Sequence, residues 1–145
     1  MERLIFLLAF VALMSPAIAQ EGEVFATEQG AIRGYDVVSY FKDAKPVKGK
    51  KEIKFSYNGA TWLFSSDANL KEFKANPVKY VPQYGGYCAY GMSEGHKAPT
   101  QPDAWAIVDG KLYLNYDKSV QTNWKKDQPS RIKKADENWP RVKSE

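Results

Sequence analysis

The sequence predicts an α+β fold made of two small antiparallel β-hairpins, each followed by a short helix, with one more helix near the C-terminus. Two turn dipeptides, Asn58-Gly59 and Asp109-Gly110, carry this prediction. Asn-Gly and Asp-Gly accept the positive φ that both central positions of a two-residue hairpin loop require. A helix-capping residue follows each hairpin, and a proline closes each helical segment. Hairpins covered by helices are typical of the α+β class.

The strands are predicted from the residues on either side of each turn. Ile53, Phe55 and Tyr57 alternate with polar residues before the first turn, which indicates a half-buried strand. The second turn lies between two continuous apolar runs, 105–108 and 112–114, which predict strands that are more fully buried. A loop is predicted upstream of the first turn, and six lysines cluster around it: Lys42, Lys45, Lys48, Lys50, Lys51 and Lys54.

Both helices that follow the hairpins are predicted from a capping residue, an apolar face and a closing proline. The first begins at Ser66 or Asp67, and the second begins at Asp117 or Ser119. A proline disfavours helical backbone in the residue before it, so each helix should end just ahead of one. In the first helix the apolar face is Leu70 and Phe73, and the closing dipeptide is Asn76-Pro77. In the second helix the apolar face is Val120 and Trp124, and the closing dipeptide is Gln128-Pro129.

A last helix is predicted from roughly Pro129 to Asn138. Ile132, Ala135 and Trp139 would form its apolar stripe, and Pro140 would end it.

The two hairpin-helix units resemble each other at a constant offset of 51 residues. At this offset, Gly59 aligns with Gly110, Trp62 with Tyr113, and Phe73 with Trp124. Two interpretations remain open: an internal duplication, or turn and cap chemistry that any hairpin followed by a helix shares.

Composition limits the chemistry that the chain can perform. Its 145 residues, 43% of them hydrophobic, suit one globular domain with a core. One cysteine and one histidine exclude an internal disulfide and the usual structural zinc sites. The net charge of +4 is compatible with binding to nucleic acid, but the export signal described next argues against that partner.

The N-terminus has the pattern of a cleaved signal peptide. An apolar run, 4–14, follows Arg3, and Ala17-Ile18-Ala19 supplies the small residues of a cleavage site after Ala19. The run is too short to span a bilayer, so we expect no transmembrane segment in the mature chain, which would be periplasmic or secreted. The predicted organisation is a signal peptide at 1–19, an extension at 20–30, a domain at 31–140 and a tail at 141–145.

Several segments of the chain resemble the YHS domain, and in particular its exported single-domain branch. They are Tyr57-x-Gly59, Trp62, Phe64, Ser66, Phe73, the run 76–80, the opening segment 34–41, and the later runs 84–91 and 109–116. The resemblance covers about residues 30 to 140. It implies a small fold of the treble-clef-like, metal-binding kind, without implying a particular activity.

The resemblance also implies where a metal would bind, and this chain departs from the pattern there. Metal-binding relatives place cysteines at positions that Ser39, Ser65 and Asn69 occupy in this sequence. Hydroxyl and amide groups are poor ligands for soft metals. We therefore do not transfer the family's thiolate site to this chain.

Cys88, Met92 and His96 form the best remaining candidate metal site. Their spacing is C-x3-M-x3-H, and a thiolate, a thioether and an imidazole suit Cu(I). If residues 82–92 are helical, Cys88 and Met92 lie one turn apart, and His96 could fold back after Gly95. The sequence hence predicts an accessory metal-binding role, with copper as the cofactor. The alternative is a non-catalytic binding or interaction module that has lost the family metal.

Other interpretations of the same residues stay open. Cys88 and Met92 also suit a buried core, where free cysteine behaves as a small hydrophobe. An enzyme would use Cys88 as nucleophile, His96 as base and Asp103 to orient it, but the spacing does not demand catalysis and the sequence favours a protein that is not an enzyme. Four tyrosines at helical spacing would line a ligand groove or pack against the hairpins: Tyr80, Tyr84, Tyr87 and Tyr90.

Overall fold

A computed structural model describes residues 21–145, so the predicted signal peptide lies outside the described residues. Within that range the fold is α+β, which confirms the prediction, with three separate two-stranded antiparallel sheets. The strands are β1 (Ala26–Thr27), β2 (Gly30–Ala31), β3 (Lys50–Tyr57), β4 (Ala60–Phe64), β5 (Trp105–Val108) and β6 (Lys111–Leu114). The helices are α1 (Ser39–Lys42), α2 (Asp67–Ala75), α3 (Pro77–Tyr80), α4 (Ala89–Ser93), α5 (Lys118–Lys126) and α6 (Gln128–Val142).

Both predicted hairpins are present, and both have two-residue loops. Asn58 and Gly59 have φ of 49° and 76°, and Asp109 and Gly110 have φ of 51° and 73°. Positive φ at both central positions defines the type I′ turn that the dipeptides predict. Of the six lysines around the predicted loop, Lys50, Lys51 and Lys54 lie in β3.

Side-chain caps start the two helices that follow the hairpins. The Ser66 hydroxyl accepts a hydrogen bond from the Asn69 N–H at 3.1 Å, and the Asp117 carboxylate accepts one from the Val120 N–H at 2.7 Å. Each cap satisfies a backbone donor that the first helical turn leaves without a partner. The predicted starts at Ser66 and Asp117 are thereby confirmed.

Three expectations about the elements are wrong. The last helix continues to Val142 through Pro140; the proline removes one N–H donor, the partner of the Asp136 carbonyl, and the packing of the buried Val142 offsets that loss. Residues 82–92 are not one helix: Tyr84 and Gly85 have left-handed backbone, and α4 begins only after Cys88. The four tyrosines therefore do not share a helical face. Strand β5 is only partly buried, because Trp105, Ala106 and Val108 pack against the outside of the core clusters, whereas β6 is buried as expected.

Two hydrophobic clusters form the core, and β6 contributes to both. The first cluster includes Trp62, Phe64 and Phe73 with Leu112 and Leu114. The second includes Tyr84, Tyr87, Met92, Trp124 and Ala135, and Tyr113 of β6 belongs to it. Because successive strand residues point to opposite sides, β6 packs against both clusters at once. Val24, Phe25 and Val142, which lie in the predicted extension and tail, are also buried in these clusters.

The internal similarity extends upstream of the hairpins, at an offset of 52 residues. Three consecutive residues have left-handed backbone at 32–34, with φ of 44°, 61° and 80°, and again at 84–86, with φ of 58°, 63° and 89°. Shortly afterwards the Asp36 N–H donates to the Val47 carbonyl at 2.8 Å, as the Cys88 N–H donates to the Ala98 carbonyl at 3.0 Å. Two hairpins in isolation would not share this lead-in, so the structure favours an internal duplication.

Among residues 21–145, no helix has the length and apolar character needed to cross a membrane.

Candidate functional site

The Asp36 carboxylate is the centre of a buried polar network in the first half of the chain. Asp36 is fully buried. One carboxylate oxygen accepts from the Val38 N–H at 2.9 Å, and the other accepts from the Ser65 N–H at 2.8 Å and the Ser65 hydroxyl at 2.7 Å. The Asn69 amide donates to that second oxygen at 2.8 Å and lies 3.4 Å from the Ser39 hydroxyl. Every side chain of the network is thus engaged around one carboxylate.

This network brings together the three positions at which the resemblance implies missing metal ligands. Ser39 begins α1, Ser65 follows β4 and Asn69 lies in α2, yet all three donate hydrogen bonds to Asp36. The network's donors already occupy the lone pairs of the carboxylate, and Asn69 presents its N–H group to it rather than its oxygen. The residues at this position therefore do not fit a soft metal ion.

Cys88 occupies the corresponding place in the second half of the chain. Its Sγ accepts from the Gly91 N–H at 3.4 Å and from the Tyr116 N–H at 3.2 Å. Asp36 accepts from the Ser39 and Ser65 N–H groups in the same way. The Cys88 thiol also lies 3.6 Å from the Asn115 side-chain oxygen and is buried. Burial raises the pKa of the Cys88 thiol, which favours the neutral form.

The other two predicted metal ligands, Met92 and His96, differ in their surroundings: Met92 is buried and His96 is exposed. Met92 is fully buried in the second core cluster, and its N–H donates to the Cys88 carbonyl at 2.8 Å. His96 is exposed, and its imidazole folds back beside Gly91: a Cβ built on that glycine would lie 3.4 Å from the His96 Nε2. Cys88 and His96 consequently both lie against Gly91. In the described part of the chain, no three His, Cys, Asp or Glu side chains group as metal ligands would.

The residues of the enzyme interpretation are not linked by hydrogen bonds. Asp103 lies 3.8 Å from the Lys118 ammonium, and both side chains are exposed. Cys88 is engaged with Asn115 and with backbone N–H groups. A nucleophile needs its base within hydrogen-bond reach, and no such contact joins these side chains across residues 21–145.

A cleft of about 330 Å³ lies between the first hairpin, residues 81–85 and α6. Its aromatic walls include Tyr57, Trp62, Tyr84 and Trp139. The rings of Tyr84 and Trp139 meet nearly edge to face, with centroids 6.2 Å apart. Two carboxylates, of Glu23 and Asp136, and one ammonium, of Lys143, also line the cleft.

The Tyr84 hydroxyl fixes one wall of this cleft. It donates to the Asp136 carboxylate at 2.8 Å, and the ring is buried. Burial, reinforced by the hydrogen bond to Asp136, raises the pKa of Tyr84, so the hydroxyl remains a donor across the neutral range. Asp136 is exposed at the cleft surface.

Neither Asp36 nor this cleft is predicted from the sequence as a functional site. Asp36 has one local signal, since an aspartate three residues before Ser39 fits a helix-capping arrangement, and the structure shows that contact at 3.4 Å. The cleft has no local signal, because its walls come from segments about 80 residues apart, such as Tyr57 and Trp139.

Comparison with known proteins identifies one family. Residues 38–84 match the family model of the YHS domain. Neither the curated proteins nor the solved structures gave a match to the chain. The matched segment contains Ser39, Ser65 and Asn69, and it extends from α1 to the turn that holds Tyr84. Residues 38–84, about a third of the chain, are therefore similar to the YHS domain.

Proposed function

We propose that this protein is a non-catalytic binding module that does not use the metal position of its family and that holds a small organic ligand in its aromatic cleft. The cleft carries this proposal, because its volume of about 330 Å³ falls in the range of small-molecule sites. Such sites combine apolar walls with a few fixed polar groups, and Tyr57, Trp139 and the Tyr84–Asp136 pair supply both.

The closed network around Asp36 supports the first part of the proposal. A metal at the family position would have to displace the donors from Ser65 and Asn69, which satisfy a fully buried carboxylate. Leaving a buried charge without its hydrogen bonds is costly. Ser39, Ser65 and Asn69 therefore act as a polar support for the first half of the fold.

The charges of the cleft favour a cationic ligand. Glu23 and Asp136 contribute two carboxylates against the single ammonium of Lys143. Aromatic faces attract cations through the negative potential of the ring, and Tyr57 and Trp139 stand in the same cleft. An aromatic amine would thus stack on the rings and place its ammonium near Asp136.

Titration with phenethylamine, followed by amide NMR, tests this proposal. We expect shifts at the cleft residues in the wild type, and weaker binding by about fivefold or more in Asp136→Asn, which removes the charge but keeps an oxygen for Tyr84. Glu137→Gln, an equal charge change on the next residue of α6 outside the cleft lining, should bind as the wild type does. Equal binding of phenylacetate, or equal loss in both variants, would contradict a cation site.

An accessory copper role is a second candidate, favoured by the position of His96 against Gly91, beside Cys88. Cys88, Met92 and His96 would hold Cu(I), which requires loss of the Cys88 proton. An anaerobic Cu(I) titration compares the wild type with Cys88→Ser, and the proposal requires tight binding that the variant lacks. Equal, weak binding by both proteins would exclude the site.

Export is proposed from the sequence of residues 1–19. The apolar run and the Ala17-Ile18-Ala19 motif support cleavage after Ala19. N-terminal sequencing of the protein recovered from cells should then give Gln20 as the first residue. Recovery of an intact Met1 would exclude cleavage.

A further inference from the structure

A second, smaller pocket lies on the other side of the first hairpin and is lined by basic side chains. Its volume is about 280 Å³, and it lies between the turn at 32–34 and the start of β3. Arg33, Lys48 and Lys51 supply three positive charges, and no carboxylate from residues 21–145 lines the pocket. The remaining lining residues are Gln29, Gly34, Gly49 and Leu63.

Within the described part of the chain, these three cations form no ion pair with an acidic side chain. The ion pairs found among residues 21–145 involve Lys42, Lys118, Arg131 and Arg141, and none involves the pocket. Arg33 is held in place from one side only. Its Nε donates to the Thr100 carbonyl at 2.8 Å, and its guanidinium carbon lies 5.4 Å from the centre of the Phe25 ring. The two terminal nitrogens of Arg33 make no hydrogen bond within the described chain, so they are available to a ligand.

The duplication shows that the fold does not need these charges. Arg33 corresponds to Gly85, and at the offset of 51 residues Lys48 and Lys51 correspond to Pro99 and Pro102. The second half forms the same left-handed turn at 84–86, and the three residues that correspond to Arg33, Lys48 and Lys51 carry no charge. Arg33 has φ of 61°, a conformation that costs an ordinary side chain about 1 kcal/mol relative to glycine. The backbone conformation therefore does not explain why Arg33, Lys48 and Lys51 are basic.

We propose that this pocket binds a tetrahedral oxyanion, a phosphate or sulfate group, between the Arg33 guanidinium and the ammonium groups of Lys48 and Lys51. A guanidinium can donate two parallel hydrogen bonds to such a group, and two further cations balance a doubly charged ligand. The anchoring of Arg33 by Thr100 and Phe25 reduces the entropy lost on binding, since the guanidinium is already oriented. The site is separate from the aromatic cleft and does not depend on the function proposed for it.

Binding of inorganic phosphate at low ionic strength, followed by amide NMR, tests the site. We expect saturable shifts centred on 32–34 and 48–51 in the wild type, with affinity lower by about tenfold in Arg33→Gln and in the double variant Lys48→Gln, Lys51→Gln. The double variant changes exposed side chains, so it reports on the site even if Arg33→Gln fails to fold. Lys125→Gln with Lys126→Gln makes the same charge change on the exposed surface of α5 and should alter the affinity by less than about twofold.

Two further measurements complete the test. Arg33→Lys keeps the charge but loses the paired donors, so its affinity should fall between those of the wild type and Arg33→Gln. Titration with phosphoserine in parallel with inorganic phosphate distinguishes an esterified ligand from a free ion by which of the two binds more tightly. An equal loss of affinity in the pocket variants and in the α5 control would overturn the proposal, because it would indicate general attraction to a positive protein. Absence of saturable shifts in the wild type would overturn it as well.

Discussion

Each half of this protein has one buried hydrogen-bond acceptor at an equivalent position, a carboxylate in the first half and a thiol in the second. Asp36 and Cys88 each accept a backbone N–H from the start of a short helix and another from the residue segment that leaves a hairpin. In the first half the acceptor is a carboxylate that also binds Ser65 and Asn69 side chains. In the second half it is a thiol, which needs less polar support. The free cysteine is thus explained by its structural contacts, whether or not it also binds copper.

Replacement of Asp36 by asparagine tests the first of these centres. One carboxylate oxygen would become an NH₂ group, which cannot accept from Ser65 or Asn69 and would leave buried donors without partners. We expect a loss of about 3 kcal/mol in the free energy of unfolding, measured with urea. Asp43→Asn, an exposed site at the end of α1, should change it by less than about 0.5 kcal/mol. A small effect at Asp36 would show that the network does not stabilise the fold.

The Cys88 thiol makes stability depend on alkaline pH. Burial raises its pKa above the ordinary value of 9.0, so the native state holds the proton to higher pH than the unfolded state does. The stabilisation is complete below pH 9.0 and is lost as pH rises from there through the native pKa. We expect the free energy of unfolding to fall between about pH 9 and about pH 10 in the wild type.

Cys88→Ser should show a smaller fall across the same interval, because serine does not titrate there. Tyr87, whose pKa burial raises to about 12, contributes to both proteins only above the ordinary tyrosine value of 10.0. Parallel pH profiles for the two proteins below that value would argue against a raised thiol pKa.

At the scale of elements, the sequence predicted what local chemistry determines. The I′ turns and the Ser66 and Asp117 caps depend on a few adjacent residues, and they were confirmed. The continuation of α6 through Pro140 was missed, because it depends on tertiary packing that buries Val142. The interruption of the expected helix at 84–86 was not predicted, because Tyr84 adopts a left-handed conformation that residues other than glycine rarely adopt.

The helix caps provide a matched pair of predictions. Ser66→Ala and Asp117→Ala each remove the acceptor for an N–H of the first turn, and each should lower the free energy of unfolding by about 1 kcal/mol. Ser119→Ala is the control, since Ser119 is exposed inside α5 and caps nothing. Urea unfolding measures all three variants. An effect at Ser119 as large as at Asp117 would place the functional start of the helix one turn later.

The candidate sites could be predicted from the sequence only where ligands lie close together in the chain. Cys88, Met92 and His96 are near neighbours, so their spacing suggested a set, and that set remains a prediction. The aromatic cleft joins Tyr57 to Trp139 and the Asp36 network joins Ser39 to Asn69, and such contacts exist only after the chain has folded. The basic pocket joins Arg33 to Lys48 across the turn at 32–34, and the residue types of that turn do not predict its left-handed backbone.

The molecule as a whole has two similar halves with a shared strand between their cores. Leu112 and Leu114 of β6 pack with the first cluster, and Tyr113 packs with the second. Each half has its own hairpin, cap and helix, yet neither has a closed core without β6. One copy of the duplicated unit is consequently not an independent domain, and we expect the two halves to unfold together.

Leu114→Ala tests this coupling. The side chain is almost fully buried, and its truncation should lower the free energy of unfolding by about 3 kcal/mol. Native-state hydrogen exchange would measure the loss separately at the most protected amides of α2 and of α5, one helix from each half. Because the halves share β6, we expect equal losses in both helices, although Leu114 packs only with the first cluster. A loss confined to α2 would show instead that the halves open independently, and that the duplicated units are stable on their own.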